Sequence, residues 1–92
     1  MSKITLSGHI QVPLSELSKV KEALPQHIAM TKSEPGCIVF KVQEHPTIEG
    51  RFDVYEEFGS RKAFEHHQKR VRDSTWGNIT THVQREYTID GL

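Results

Sequence analysis

Residues Glu34–His67, EPGCIVFKVQEHPTIEGRFDVYEEFGSRKAFEHH, decide the fold. Pro35-Gly36 is a strong stop for whatever helix precedes it. Cys37 to Glu44 is rich in β-branched and aromatic residues, and strict alternation puts Ile38, Phe40 and Val42 on one face. His45-Pro46 opens a loop and Glu49-Gly50 closes it. Arg51 to Phe58 alternates again, with Phe52, Val54, Glu56 and Phe58 on one side and Asp53, Tyr55 and Glu57 on the other. Gly59-Ser60 then supplies a stop and a helix N-cap, and Ala63, Phe64, His67 and Val71 fall on one helical stripe. The stretch predicts strand, loop, strand and capped helix. Its inward positions hold two polar groups on otherwise apolar surfaces, Glu56 and His67.

The flanking sequence completes the plan. Ile4, Leu6, Gly8, Ile10 and Val12 alternate with Thr5, Ser7, His9 and Gln11, which predicts a strand with one buried face. Pro13 ends it, and Ser15 has the chemistry of an N-cap with Glu16 in the first turn. Leu17, Val20, Leu24, Ile28 and Thr31 recur at helical spacing; Pro25 is expected to kink or restart that helix, and because the apolar phase survives across it the expectation is one bent helix. Asp73–Asn78, DSTWGN, has turn composition. Ile79 to Ile89 predicts a last strand, with Val83, Tyr87 and Ile89 opposite His82, Gln84 and Glu86. The order is βαββαβ, an α+β ferredoxin-like fold: an antiparallel four-stranded sheet with two helices on one face, as one domain over residues 1–92.

The sheet's other face would carry Thr5, Ser7, Cys37, Val39, Tyr55 and Thr80, too apolar for water and too polar for a monomer core. A chain of 92 residues buries only about 60% of its unfolded surface, so a second copy would add core it lacks. The expectation is a homodimer packed sheet to sheet.

Composition excludes several function classes. Twelve basic residues balance twelve acidic ones at a pI near 7.0, so there is no electrostatic footprint for nucleic acid. No apolar run reaches a membrane span, and MSKITLSGHI has no signal-peptide core. With Cys37 the sole cysteine, no internal disulfide can form, and a cytoplasmic, soluble protein is expected.

Consecutive elements pack together, so Glu56 and His67 are expected to approach one another. A carboxylate holding one imidazole nitrogen fixes the tautomer and leaves the other nitrogen basic, able to take a proton from a phenol or enol. A structural pair locking helix to sheet is the blander reading, and on residues alone it comes first. His66 points about 100° away from His67. His9 and His82 fall on the outer sheet face, and His27 and His45 read as surface positions. No His-x-x-x-His or Cys-x-x-Cys spacing occurs, so no metal site is expected. Cys37 reads as a small hydrophobe and Trp76 as a core anchor or pocket wall.

The runs EPGCIVFKV, FDVYEEF and SRKAFEHH, with a final strand ending REYTI, resemble the antibiotic biosynthesis monooxygenase family over essentially the whole chain. The resemblance implies a dimeric α+β barrel with a ligand pocket in each subunit between sheet and helices. Members are similar to oxygenases that oxidise phenols or quinols with O2 and no metal or flavin, while others degrade haem or isomerise a small metabolite. Glu56 and His67 fall on the family's strand acid and helix histidine. Gly8 and His67 stand where haem-degrading members have asparagine and tryptophan, which counts against haem degradation. Trp76 and Asn78 resemble the tryptophan and asparagine of polyketide-oxidising members.

The combined expectation is a cofactor-free monooxygenase of a small aromatic or quinol-like substrate. His67 and Glu56 would be catalytic, and Gly8, Phe40, Phe52, Phe64, Trp76 and Asn78 would line the pocket. A non-catalytic small-molecule binding or stress-response protein and a metabolite isomerase are the alternatives.

Overall fold

Alternating strands and helices of 3.6-residue period close a single core between one sheet and the helices laid across it. The structure, a computed structural model, describes residues 3–92. The elements run β1 (Ile4–Gln11), a 3-10 turn (Leu14–Glu16), α1 (Leu17–Lys32), β2 (Cys37–Glu44), β3 (Arg51–Phe58), α2 (Arg61–Arg72), α3 (Thr75–Ile79) and β4 (Gln84–Asp90). The four strands form one antiparallel sheet in the order β2-β3-β1-β4. This is the ferredoxin-like α+β plan, with a short third helix added before the last strand.

The core is what the alternation specifies. Ile4, Leu6, Ile10, Phe52, Val54 and Phe58 bury from the two central strands, and Val20, Phe64 and Trp76 meet them from the helices. Ser60 caps α2 by accepting a hydrogen bond from the Ala63 amide at 3.1 Å. Glu56 pairs across the sheet with Leu6 on one side and Phe40 on the other, which places its carboxyl group at the centre of the helix-covered face.

Four local expectations are corrected. The register of β2 against β3 shifts between Cys37 and Val39, so Ile38 is an extra, bulged residue, 56% exposed, and does not share a face with Phe40. That one-residue slip turns Cys37 toward the core. DSTWGN is helical from Thr75, because Ser74 accepts from the Gly77 amide and donates to the Val71 carbonyl, capping α3 while closing α2. A Cβ at residue 77 would lie 2.2 Å from the Val71 carbonyl oxygen, so glycine is what lets α3 fold back against the end of α2. β4 consequently begins at Gln84, which takes His82 and Thr80 off the sheet; Thr80 is fully buried, its hydroxyl donating to the Trp76 carbonyl at 2.7 Å. Finally, α1 begins at Leu17 after the 3-10 turn without a side-chain cap from Ser15; its continuation through exposed Pro25 as one helix is as expected.

Candidate active site

Between the helices and the sheet lies an open cavity of about 590 Å³, within the ordinary size range of small-molecule sites. Its floor is the inward face of the sheet: Leu6 and Ile10 of β1, Phe40 and Val42 of β2, Val54 and Glu56 of β3. Its roof is His27 of α1, His67 and Val71 of α2, and Trp76 of α3. Gln68, Arg72, Asn78, Thr81, Arg85 and Tyr87 add polar groups to the lining. β4 contributes Arg85 and Tyr87 because they pair with Ile10 and Gly8 and so share the inward face.

His67 is the polar centre. It is 3% exposed and has a carboxylate on each ring nitrogen's side. Nδ1 lies 3.0 Å from Glu34 Oε2, and Nε2 lies 3.8 Å from Glu56 Oε1. Only the first is a hydrogen bond. Arg70 Nε donates to the same Glu34 oxygen at 2.6 Å, and Arg70 Nη2 donates to Thr31 Oγ1 at 3.0 Å. Thr31 in turn donates to the His27 carbonyl at 2.9 Å. With a guanidinium donating to the Glu34 carboxylate, that carboxylate accepts from the ring, so Nδ1 carries the proton and Nε2 keeps a lone pair. The group that fixes the imidazole is therefore Glu34, from the turn after α1, and the expected hydrogen bond from Glu56 is not formed.

Electrostatics divide the site's groups. Burial, then the negative charge of Glu34, push the Glu56 carboxyl up to about 7. Burial likewise pushes the His67 imidazole below its ordinary value, against the Glu34 hydrogen bond and charge, which pull it up. Burial, then the His67 and Arg70 charges, push His27 down to about 3. At neutral pH the cavity holds two uncharged imidazoles and a carboxyl group poised between its forms.

Of the residues singled out in the sequence, Phe40, Glu56, His67, Trp76 and Asn78 line the cavity, whereas Gly8, Phe52 and Phe64 do not. Phe64 packs edge-on against Phe58 at 5.8 Å and Phe52 is core, 2% exposed. Gly8 makes room for β4 and not for a ligand: its φ is +150° and a Cβ there would sit 1.9 Å from the Glu86 carbonyl oxygen. His27, read as a surface residue, is 6% exposed and stacks on Trp76, with ring centroids 4.4 Å apart and planes 5° from parallel. The helical count could have found it, since His27 follows Val20 by seven residues and precedes Thr31 by four, and all three are buried. Glu34 and Arg70 had no such signal; one sits in a turn and the other on a charged helix end. Among the described residues no group of three His, Cys, Asp or Glu is placed to hold a metal ion.

The sequence profile of the antibiotic biosynthesis monooxygenase family matches residues 4–86. The chain belongs to that family. Solved structures agree on the fold. A conserved protein from Bacteroides thetaiotaomicron, described as of unknown function and a possible oxidoreductase, superposes with a TM-score of 0.82 at 21% identity, covering 99% of this chain and 98% of its own. A candidate antibiotic biosynthesis monooxygenase from Nitrosomonas europaea gives 0.80 at 22% identity over 98% and 88% of the two chains. Another from Deinococcus radiodurans gives 0.77 at 17% identity over 98% and 91%. No curated protein sequence matches the chain.

Proposed function

We propose that this member of the monooxygenase family oxidises a small aromatic or quinol-type substrate with O2, without a cofactor, using His67 as the base. One observation carries the reading: a buried, neutral imidazole whose Nδ1 is tied to Glu34, itself held by Arg70, and whose Nε2 is left with a lone pair at a cavity with an apolar floor. Such a nitrogen takes the proton of a phenolic hydroxyl, and the resulting phenolate passes one electron to O2. Recombination of the substrate radical with superoxide forms a carbon–oxygen bond, and the peroxide loses water to leave a quinone carbonyl. One oxygen atom enters the ring; the other leaves as water with two hydrogens from the substrate. Glu56, 3.8 Å from Nε2 and titrating near 7, is suited to return a proton to the departing oxygen. The floor of Leu6, Phe40, Val42 and Val54 keeps water from the reactive anion.

His67→Ala should lower O2 uptake on a hydroquinone, above the uncatalysed background, by about 100-fold or more, with the circular dichroism spectrum retained. Uptake equal to that of the wild type would end the proposal. An oxygenase also stops under nitrogen, where an isomerase would continue.

Homodimerisation through the outer sheet face belongs to the same proposal. That face carries half-buried Val39 and Thr5 and exposed Tyr55, whose hydroxyl is tied to Glu57, itself bridged to Lys3 at 3.1 Å. Sedimentation velocity should give twice the 10.6 kDa chain mass, and Val39→Glu should return the monomer; a wild type that sediments as a monomer would dismiss it.

A further inference from the structure

His27 lines the cavity with a ring that no side-chain hydrogen bond holds among the described residues. Hydrogen bonds link His67, Glu34, Arg70 and Thr31 in a continuous chain that leaves Glu34 Oε1 and Arg70 Nη1 unpaired, and that chain reaches only the backbone carbonyl of His27. Its side chain takes no part: Nδ1 is buried with no hydrogen-bond partner among the described residues. A buried polar atom left unpaired costs free energy that folding alone gives no reason to spend. Nor does apolar packing account for it, because phenylalanine would fill a slot between aromatic rings without that cost. Trp76 covers one face of the ring and Phe40 meets it edge-on at 5.4 Å, with planes 80° apart. The ring is therefore held in one orientation, and its polar contacts are confined to directions in its own plane. The His27 and His67 centroids stand 6.4 Å apart, and both residues border the same cavity.

We propose that His27 is a specificity-determining residue: its imidazole hydrogen-bonds a second oxygen of the substrate while His67 engages the first. This rests on the reading of His67 as the base and narrows the substrate class. The preferred ligand is a planar aromatic with oxygen functions at two separated ring positions, a quinol or dihydroxylated fused aromatic, over a monophenol of the same size. With Nδ1 buried, the ring meets the ligand through Nε2, whose N–H in that tautomer serves a hydroxyl oxygen before oxidation and a carbonyl oxygen after it. The substrate is thereby held with one chosen hydroxyl at His67 Nε2.

Trp76, the chain's sole tryptophan, is stacked on His27 and reports directly on the site. Under nitrogen, so that nothing is turned over, tryptophan fluorescence titrations with 1,4-dihydroxynaphthalene and 1-naphthol should show the diol bound about tenfold more tightly by the wild type. His27→Phe keeps the aromatic stack and removes both nitrogens; it should bind the two ligands within about twofold of each other. Should the phenylalanine variant not fold, His27→Leu must show the same loss of preference. A wild type with no preference, or a folded variant that retains it, overturns the inference. Because no oxygen is present, these outcomes are independent of the His67→Ala uptake assay. Failure of that assay with the diol preference intact would sink the oxygenase reading and leave the two-point binding site standing.

Discussion

The two carboxylates that flank His67 come from regions of opposite character. Glu34 lies in the turn between α1 and β2, a place where polar residues are ordinary, yet it is 7% exposed and accepts from both His67 and Arg70. Glu56 lies in the middle of β3, a place where alternation demands an apolar residue, and no side-chain hydrogen bond to it is formed among the described residues. One holds two neighbours through Oε2; the other has no hydrogen-bond partner among the described residues, and burial pushes it up to about 7. The difference separates the two groups more clearly than burial does, since burial is nearly the same for both. A buried charge with partners ties elements together, and a buried acid without them costs stability.

The largest effect should come from removing the committed partner. Glu34→Ala strips the carboxylate from the His67 ring and leaves the Arg70 guanidinium, its side chain 21% exposed, without its counter-charge. Loss of about 3–5 kcal/mol is expected from chemical denaturation; a loss below about 1 kcal/mol would mean that the triad does not hold α2 to the turn.

The second test concerns Glu56 and has a definite sign. Its carboxyl is pushed from an ordinary 4.5 up to about 7 on folding, so between those values the folded chain binds more protons than the unfolded one. Stability attributable to this group is therefore greatest below pH 4.5 and falls as pH rises to 7. Glu56→Gln removes the dependence. It should match the wild type near pH 4 and exceed it above pH 7 by about 3 kcal/mol at most. Urea denaturation midpoints of the two proteins across that range check it, and parallel curves would show that Glu56 is ionised as readily in the fold as out of it.

The smallest effect calibrates both. On the same helix as His67, Arg61 and Glu65 form an exposed i,i+4 pair at 3.1 Å. Arg61→Ala should cost about 0.3–0.5 kcal/mol, and less in high salt. A larger cost would mean that α2 depends on its surface charges and that the Glu34 result could not be credited to the buried contacts alone.

What was legible in the sequence follows the same division. β1 and β3 read correctly because each has one wet and one dry face, and period-two alternation records that directly. Glu56 stood out as an exception to the rule, and exceptions to a strong pattern are visible. α2 was legible from Ser60 and its apolar stripe. The bulge at Ile38 was not, because CIVFKV is apolar on both phases and either register satisfies the pattern. α3 was missed because its stability comes from Ser74 bonding in two directions and from a close approach at Gly77, neither of which has a periodicity. Glu34 was out of reach for a deeper reason. Its burial depends on Arg70 and His67, more than thirty residues later in the chain, and nothing about EPGC by itself states that such partners exist.

Gly8 governs something it does not touch. Its bare Cα lets the Glu86 carbonyl sit where any side chain would be, and the residues on either side of Glu86 are Arg85 and Tyr87, both on the cavity wall. A substituent at position 8 would lever β4 outward and carry that pair with it. The position of that wall is thus gauged by one hydrogen atom on a residue that does not line the cavity.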